Sequence, residues 1–335
     1  MPWENKITAA GFVCGGNFIC RKMRIGNRVV CLLASLLILE SLGATNPTGG
    51  PQPFGSSGNS GPSMDWFRCS DSVKPRGVAL VIHGLNLNPT RMAAVISALN
   101  EAGIDTLQLS LRGHGDNYRR RDGLDATQSR LEEFRGVSYP VWFQETLKGC
   151  EEARSNAREK RVPLFLVGFS YGGLIGLDMM AARPDVDFDR AVLFAPALSL
   201  HGWDYTIRLF APFPRLVIPA LAPAEYLANP GTPMAGYNAL FETLDHFESH
   251  AGPKINIPSL VVMDPGDELV SISGIKNLAE AHHLDQWRFH PVLNGRSLLK
   301  GMLRHIVIDE ASVGRPAWAE IRKEMIAHLL LNHPP

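Results

Sequence analysis

Five continuous apolar runs, separated by amphipathic stretches, are the feature that most restricts how this 335-residue chain can fold. A strand that is apolar at every position is buried on both faces, as it is in a parallel sheet covered by helices. Strands that alternate with helices along the chain favour the same arrangement. We therefore predict an α/β fold with a mainly parallel sheet flanked by helices. Its strands should lie at residues 77–82, 106–111, 163–169, 190–194 and 258–263.

Amphipathic stretches between these runs predict the helices. Met92, Val95 and Leu99 repeat at helical spacing on one face of a segment from 89 to 102. The remaining helices are predicted at 139–161, at 174–182, around His282 and His283, and at 317–331. A further strand is expected at 287–292, close to the C-terminal helix.

The first 43 residues differ in composition from the rest of the chain. Basic residues from Arg21 to Arg28 precede an apolar run at 29–39, and small residues follow it. This order is typical of a cleaved export signal, which would start at residue 1 or at Met23. The alternative is a membrane anchor at 29–39, but that run is well short of the roughly 20 residues needed to span a bilayer. We therefore expect a periplasmic or secreted protein with no stable membrane span in its mature form.

Composition also divides the remainder of the chain. Residues 44–63 are rich in Gly, Pro and Ser and should form a flexible linker. One domain should follow at 64–335, since α/β domains commonly reach this size undivided. At about 199–256, aromatic and Pro-rich sequence between two predicted strands indicates an insertion of the kind that forms a cap or lid. The aromatic residues of this insertion could line a pocket or form a small core of their own, and both alternatives stay open.

Charge and cysteine content bear on possible partners. Lys and Arg number 33, and so do Asp and Glu, so no basic surplus favours nucleic acid. No cysteine pair or His/Cys cluster at ligand spacing suggests a metal, and we expect no cofactor. Cys69 and Cys150 are the two cysteines outside the leader. In an exported protein they could form a disulfide, and two separate thiols are the equally weighted alternative.

The sharpest chemical signal is the sequence GFSYGG at residues 168–173, which joins a predicted strand to a helix expected to begin near Leu174. A serine turned sharply between strand and helix must adopt strained backbone angles. Gly168 and Gly172 let such a turn close without side-chain collision. The hydroxyl of Ser170 would then stand free of the sheet as a nucleophile. The alternative is a Gly-rich turn whose serine merely caps the helix.

A second element lies where an oxyanion site is required, because His83-Gly84-Leu85 ends the predicted strand at 77–82. Gly84 allows the backbone to approach a substrate. The amide of Leu85 could pair with that of Tyr171 to hold the oxygen of a tetrahedral intermediate. His83 is expected to be structural, with its side chain hydrogen-bonded to loop backbone.

Four segments, VIHGLNLNP, LSLRGHGDN, LFLVGFSYGG and VVMDPGDELVS, follow one another in the order found in the α/β hydrolases. Together they resemble the lysophospholipase and monoacylglycerol-lipase-like branch of that family, from about Gly77 to the C-terminus. The resemblance implies an α/β-hydrolase fold and a serine hydrolase that cleaves an ester or lipid-like small molecule through an acyl-enzyme. Amide or peptide hydrolysis and acyl transfer are alternatives on the same fold. A non-catalytic binding module is the alternative outside enzymes.

The resemblance also implies an acid and a histidine after the nucleophile. Asp267, and not Asp264 at the strand end, resembles the family acid. Asp267 matches the family pattern Gly-x-x-Asp-x-x-Val from the Asp onward. Glu268 is expected to be a solvated loop charge. An acid at this place would fix the tautomer of the histidine and stabilise its protonated form.

His305 is the predicted base. It lies in a loop before the last predicted helix, from which an imidazole can reach a serine above the sheet. It also resembles the family histidine, in the sequence LRHIVIDEA, although Arg304 stands where a Gly often precedes that histidine. The other candidates fall in predicted helices, a strand or the tail: His282, His283, His290, His328 and His333. The predicted triad is therefore Ser170, Asp267 and His305.

Overall fold

The computed structural model describes residues 63–70, 74–202, 204–220, 222–292 and 303–331. These residues fall in one compact unit that begins at Asn59. The predicted export signal at 1–43, with its anchor alternative, lies outside the described residues. So does the predicted linker at 44–63 except for Ser63, which begins the first strand. These assignments stay predictions.

The described strands form a large sheet and a small one. In chain order they are β1 (Ser63–Phe67), β2 (Gly77–Ile82), β3 (Ile104–Ser110), β4 (Leu164–Phe169), β5 (Arg190–Phe194), β6 (Val217–Pro219), β7 (Gly231–Pro233), β8 (Ser259–Met263) and β9 (Trp287–Pro291). The large sheet has the order β1-β3-β2-β4-β5-β8-β9. Its first strand pairs antiparallel with β3, and the other neighbours are parallel. The predicted mainly parallel sheet is therefore confirmed. β6 and β7 pair with each other.

Helices alternate with the strands of the large sheet. The described α-helices are α1 (Ala93–Glu101), α2 (Ala126–Phe134), α3 (Tyr139–Lys160), α4 (Tyr171–Ala182), α5 (Met234–His250), α6 (Ile272–Ala281), α7 (Glu310–Val313) and α8 (Arg315–Leu330). α1 packs against α8, whereas α3, α4 and α5 pack against one another. Every residue of β2, β3, β4 and β8 is buried, as a sheet covered on both faces requires.

Two predicted boundaries differ from the structure for clear physical reasons. The helix expected to begin near Leu174 begins at Tyr171, because the chain turns into it directly at Ser170. His282 and His283 do not lie in a helix. α6 ends at Ala281, and His283 has a left-handed backbone with φ of 52°, which a helix cannot contain.

The predicted insertion at 199–256 contains elements of two kinds. Its last helix, α5, packs against α4 and α3 and so extends the helical layer of the sheet. The residues before α5 form short 3₁₀ helices and the small sheet of β6 and β7. Whether any part of this insertion acts as a cap stays a prediction.

Two further predictions concern covalent links and membranes. Cys69 and Cys150, both buried, are not joined to each other by a disulfide, so the thiol alternative holds in this structure. Among the helices of the described residues, none is long and apolar enough to cross a bilayer.

Candidate active site

Ser170 lies at a sharp turn between β4 and α4. Its φ of 51° and ψ of −116° are outside the regions that residues with a side chain normally adopt. Two neighbouring glycines make the turn possible. A Cβ on Gly168 would lie 2.5 Å from the amide nitrogen of Gly173, and a Cβ on Gly172 would collide with the carbonyl oxygen of Ile82. The strained turn that the sequence predicted therefore exists, and both glycines are sterically required for it.

The structure brings the three predicted triad residues together. His305 Nε2 lies 2.9 Å from Ser170 Oγ, and His305 Nδ1 lies 2.8 Å from Asp267 Oδ2. Because an ionised carboxylate can only accept, Nδ1 carries the proton and Nε2 is left to accept the hydroxyl proton of Ser170. All three residues are buried, and the ring of Phe169 packs 5.2 Å from that of His305, centroid to centroid. This arrangement can transfer a proton from the serine to the imidazole.

The loop after β8 fixes the acid. Asp267 Oδ1 accepts the amide protons of Leu269 at 2.8 Å and Val270 at 2.9 Å, which leaves Oδ2 for the histidine. Asp264 has a different role, since its Oδ1 accepts the amide of Gly266 at 2.7 Å and caps the turn. Asp267, not Asp264, is the carboxylate that contacts the imidazole.

Glu268 is not the solvated loop charge that the sequence suggested. Its Oε2 accepts the amide proton of Arg304 at 2.9 Å, and burial raises the pKa of its carboxyl. This bond ties the residue before His305 to the loop of Asp267. Arg304 in turn extends its guanidinium to 3.8 Å from Asp264. Local sequence could not reveal this role, because the partner is 36 residues away.

Burial and charge act in opposite directions on the titration of the triad. Burial favours the neutral form of Asp267, but the adjacent His305 outweighs it and holds the pKa of this carboxyl below its usual range. Burial also opposes the charged form of His305, but Asp267, followed by Glu268 and Asp204, raises the pKa of the imidazole above its ordinary value. The site therefore stabilises the protonated form of this imidazole.

The two predicted oxyanion donors belong to the segments that follow β4 and β2. Tyr171 is the first residue of α4, where a backbone N–H has no partner within the helix. Leu85 lies in the turn after β2, and its amide makes no backbone hydrogen bond to the described residues. A Cβ on Gly84 would lie 2.8 Å from the ring of Phe169 and 3.1 Å from Ser170 Cβ, so only glycine lets the turn approach the serine this closely. Both amides are available to a developing negative charge.

Residues 84–87 form a turn, closed by a bond from the Leu87 amide to the carbonyl of Gly84, which we call the oxyanion turn after its predicted role. His83 and His114 form a buried pair beside it, with ring centroids 4.5 Å apart. Nε2 of His83 accepts the amide proton of Leu111, and Nε2 of His114 accepts that of Asn86, each at 3.0 Å. Burial lowers the pKa of His83 to about 4 and that of His114 well below its ordinary value, so both rings are neutral acceptors. Their contacts are of the structural kind expected for His83.

One acidic residue near the triad had no signal in the sequence. Asp204 is buried, and its Oδ2 has no hydrogen-bond partner among the described residues. Its segment is attached to the acid loop, because His201 donates its amide proton to the carbonyl of Leu269 at 3.1 Å and places Nε2 3.0 Å from the carbonyl oxygen of Asp267. Burial is the main reason that the pKa of Asp204 rises to about 7. Asp204 is therefore a second carboxyl that interacts electrostatically with the imidazole of His305.

Two aromatic residues of the insertion lie in different environments. Tyr226 is buried against the main domain, and its hydroxyl donates to the carboxylate of Asp309 at 3.0 Å. Phe213 instead exposes 62% of its surface. The two alternatives left open by the sequence, a pocket lining or a separate small core, both stay predictions.

The comparisons with known proteins bear on the fold. Residues 73–233 match the family model described as serine aminopeptidase, S33, which includes Ser170 but ends before Asp267. A soluble variant of monoglyceride lipase from Saccharomyces cerevisiae, in complex with a substrate analogue, superposes with a TM-score of 0.64 at 14% identity. The match covers 85% of this chain and 100% of that one. No curated protein matches by sequence.

Two other solved structures are similar. Monoacylglycerol lipase from Paleococcus ferrophilus superposes with a TM-score of 0.55 at 18% identity, over 80% of this chain and 99% of that chain. A thermostable carboxyl esterase from Bacillus coagulans gives 0.53 at 14% identity, over 79% and 92% of the two chains. The chain thus has the α/β-hydrolase fold. This is the fold that the resemblance seen in the sequence implied.

Replacing Asp204 by Asn should move the acidic limb of the kcat/KM profile to lower pH. Loss of a neighbouring negative charge lowers the pKa of His305, so the imidazole stays unprotonated, and able to act as a base, in more acidic solution. The measurement is hydrolytic kcat/KM between about pH 5 and about pH 9.

Asp245→Asn is the matched control for this test. It removes a carboxylate of the same insertion that is 60% exposed and pairs with Arg208. This control should leave the profile unchanged. An acidic limb that stays in place, or moves upward, in Asp204→Asn would contradict the electrostatic coupling.

Proposed function

We propose that this protein is a serine carboxylic-ester hydrolase, of the esterase or lipase type, that acts through an acyl-enzyme. The observation that carries the proposal is the continuous hydrogen-bonded series from Ser170 through His305 to Asp267. This series stands at a strained turn beside two backbone amides, as nucleophilic catalysis requires. The fold and the match to a hydrolase family model support the same class of reaction.

The proposed cycle begins with attack by Ser170 Oγ on the ester carbonyl while His305 Nε2 takes the hydroxyl proton. The amides of Leu85 and Tyr171 donate hydrogen bonds to the oxyanion of the tetrahedral intermediate. His305 then passes its proton to the departing alcohol, and the acyl group remains on the serine. A water molecule, deprotonated by the same imidazole, attacks the acyl-enzyme and releases the carboxylic acid. Asp267 holds the ring and stabilises its charged form at both steps.

The comparisons favour an ester substrate over an amide. Structural neighbours that cover most of the chain are named as monoglyceride lipase, monoacylglycerol lipase and carboxyl esterase. Amide or peptide hydrolysis is the second candidate, because the matching family model is named for an aminopeptidase. That model matches less than half of the chain. A small-molecule or lipid-like ester is therefore our proposed substrate class.

Two other candidates have less support. Acyl transfer would use the same acyl-enzyme with an acceptor other than water. A binding module of this fold would have no need of three polar side chains aligned at hydrogen-bond distance around a strained serine. The alignment therefore favours catalysis.

Substitution of Ser170 by Ala should reduce ester hydrolysis by about 10⁴-fold or more, because the nucleophile is lost. His305→Ala and Asp267→Asn should each cost several orders of magnitude, since triad members act as a unit. The measurement is kcat on a p-nitrophenyl ester, with folding checked by circular dichroism. Ser97→Ala, on the exposed face of α1, and His290→Ala, on β9, are the controls and should retain activity. An active Ser170→Ala enzyme, or a His290→Ala loss with His305→Ala unaffected, would refute these assignments.

The chain should hydrolyse p-nitrophenyl esters faster than the matching p-nitroanilide. An ester has the better leaving group, and the structural neighbours are lipases and esterases. Rates on acyl chains of increasing length, beside the amide, give both the preferred chain and the ester-to-amide ratio. Faster turnover of the amide would favour the peptidase candidate instead.

We also propose that the protein is exported, on the basis of the basic, apolar and small-residue order before residue 44. The expected result is a mature N-terminus near residue 44 in protein recovered outside the cytoplasm. N-terminal sequencing makes the measurement. Recovery of protein that retains the apolar run at 29–39 would instead favour the membrane anchor.

A further inference from the structure

Two buried asparagines join the oxyanion turn to the insertion. Asn86 directly follows Leu85, Asn229 lies 143 residues later, and each is 2% exposed. The backbone N–H of Asn229 donates to Asn86 Oδ1 at 3.0 Å, and Asn86 Nδ2 donates to the carbonyl oxygen of Asn229 at 3.1 Å. Asn229 Nδ2 also donates to the carbonyl oxygen of Gly113 at 2.9 Å. The Asn86 side chain thus pairs with both backbone groups of Asn229, and Asn229 Nδ2 adds a longer bond to Asn86 Oδ1 at 3.3 Å. These bonds form a clamp between segments far apart in the chain.

The backbone around Asn86 is held as firmly as its side chain. Its N–H donates to Nε2 of His114 at 3.0 Å, and its carbonyl accepts the amide proton of Ala228, also at 3.0 Å. A bridge between Leu87 and Leu227 continues the pairing of the two segments. The backbone of Asn86 is therefore held at its N–H by His114 and at its carbonyl by Ala228.

This conformation determines where the Leu85 amide points. Leu87 donates its amide proton to the carbonyl of Gly84 at 3.1 Å, which closes a turn with Leu85 and Asn86 at its centre. The φ of Asn86 is 53°, in the left-handed region that Asn tolerates at the third position of such a turn. If Asn86 moved, the turn would open and the Leu85 amide would rotate with it.

An oxyanion donor is useful only when it is already aimed at the place where charge develops. Errors of about 0.5 Å in such a group are enough to lose much of its effect. We propose that Asn229 is a positioning residue for the oxyanion hole, acting through Asn86 on the amide of Leu85. This inference rests on the proposed function, and it makes the insertion a support of the catalytic machinery as well as a possible cover.

The contributions of Asn86 and Asn229 can be tested one at a time. Glycine is the suitable replacement for Asn86, because glycine also accepts its positive φ. Asn86→Gly keeps the turn and removes all the bonds that the Asn86 side chain makes to Asn229. Asn229→Ala removes the bonds that the Asn229 side chain makes to Asn86 Oδ1 and to the carbonyl of Gly113, and leaves its backbone bonds to Asn86 in place. If Asn229 acts through Asn86, the double variant will be no slower than the slower single variant, whereas independent effects multiply.

The experiment compares the wild type, both single variants and the double variant on a p-nitrophenyl ester. We expect kcat to fall by about 10-fold to about 100-fold with little change in KM, somewhat less than the cost of deleting an oxyanion donor. The inhibition constant of a trifluoromethyl ketone, which forms an oxyanion on Ser170, should rise by a similar factor. A residue that only stabilised the fold would lower the melting temperature without this parallel change in kcat and inhibitor affinity.

Asn238→Ala is the matched control. Asn238 lies in the same insertion and donates to a backbone carbonyl, that of Ala211 at 3.0 Å, but it is not part of the clamp. It should leave kcat and inhibitor affinity unchanged. If Asn229→Ala does not fold, Asn86→Gly tests the same clamp from the other side.

The outcomes separate the two claims. An ester hydrolysed equally well by the wild type and by folded Asn229→Ala would overturn the positioning role alone. A raised KM with unchanged kcat and inhibitor affinity would overturn it as well. If the wild type hydrolyses no ester and Ser170 forms no adduct with the ketone, the proposed function fails, and the positioning role fails with it.

Discussion

The turn at Ser170 is the constraint on which the rest of the site depends. A backbone in a sparsely populated region costs roughly 1–3 kcal/mol, and it persists only when its surroundings hold it there. Here the amide of Ser170 donates to the carbonyl of Phe194 at 2.9 Å, and its carbonyl accepts the amide proton of Ala197 at 3.0 Å. The absence of a side chain at Gly168 and at Gly172 removes the collisions that would otherwise open the turn. The hydroxyl is thus lifted off the sheet to a place where groups from other loops can meet it.

Those groups arrive because parallel strands place their carboxyl ends at one edge. The loop after β8 brings Asp267, and His305 contacts it from a part of the sequence after β9. Each loop is then locked by contacts that are distant in sequence. Glu268 holds the residue before the histidine, and the paired Asn86 and Asn229 hold the oxyanion turn. The catalytic geometry that we propose is therefore a property of bonds between loops, and the sheet supplies the rigid base from which they extend.

The sequence predicted the elements whose signals are local. Strands such as β2 are apolar throughout, and the turn at Ser170 is marked by adjacent glycines. Sequence therefore predicts both. β1 was missed because its five residues alternate between partly buried and exposed and follow a Gly-rich stretch. Asp204, Glu268 and Asn229 were missed, or given another role, because burial and partners define them. No local pattern marks a carboxyl such as that of Glu268, whose partner lies 36 residues away. The same holds for the amide of Asn229, which is hydrogen-bonded to a side chain 143 residues earlier.

Covalent labelling by a fluorophosphonate tests the central claim most directly, because this reagent reacts only with a serine that a neighbouring base activates. Mass spectrometry of peptides from the labelled, folded protein identifies the modified residue. We predict one adduct, on Ser170, which disappears when the protein is denatured before labelling or when His305 is replaced by Ala. A folded protein that stays unlabelled at Ser170, or that is labelled there equally well without His305, would contradict the claim that these residues form a catalytic unit.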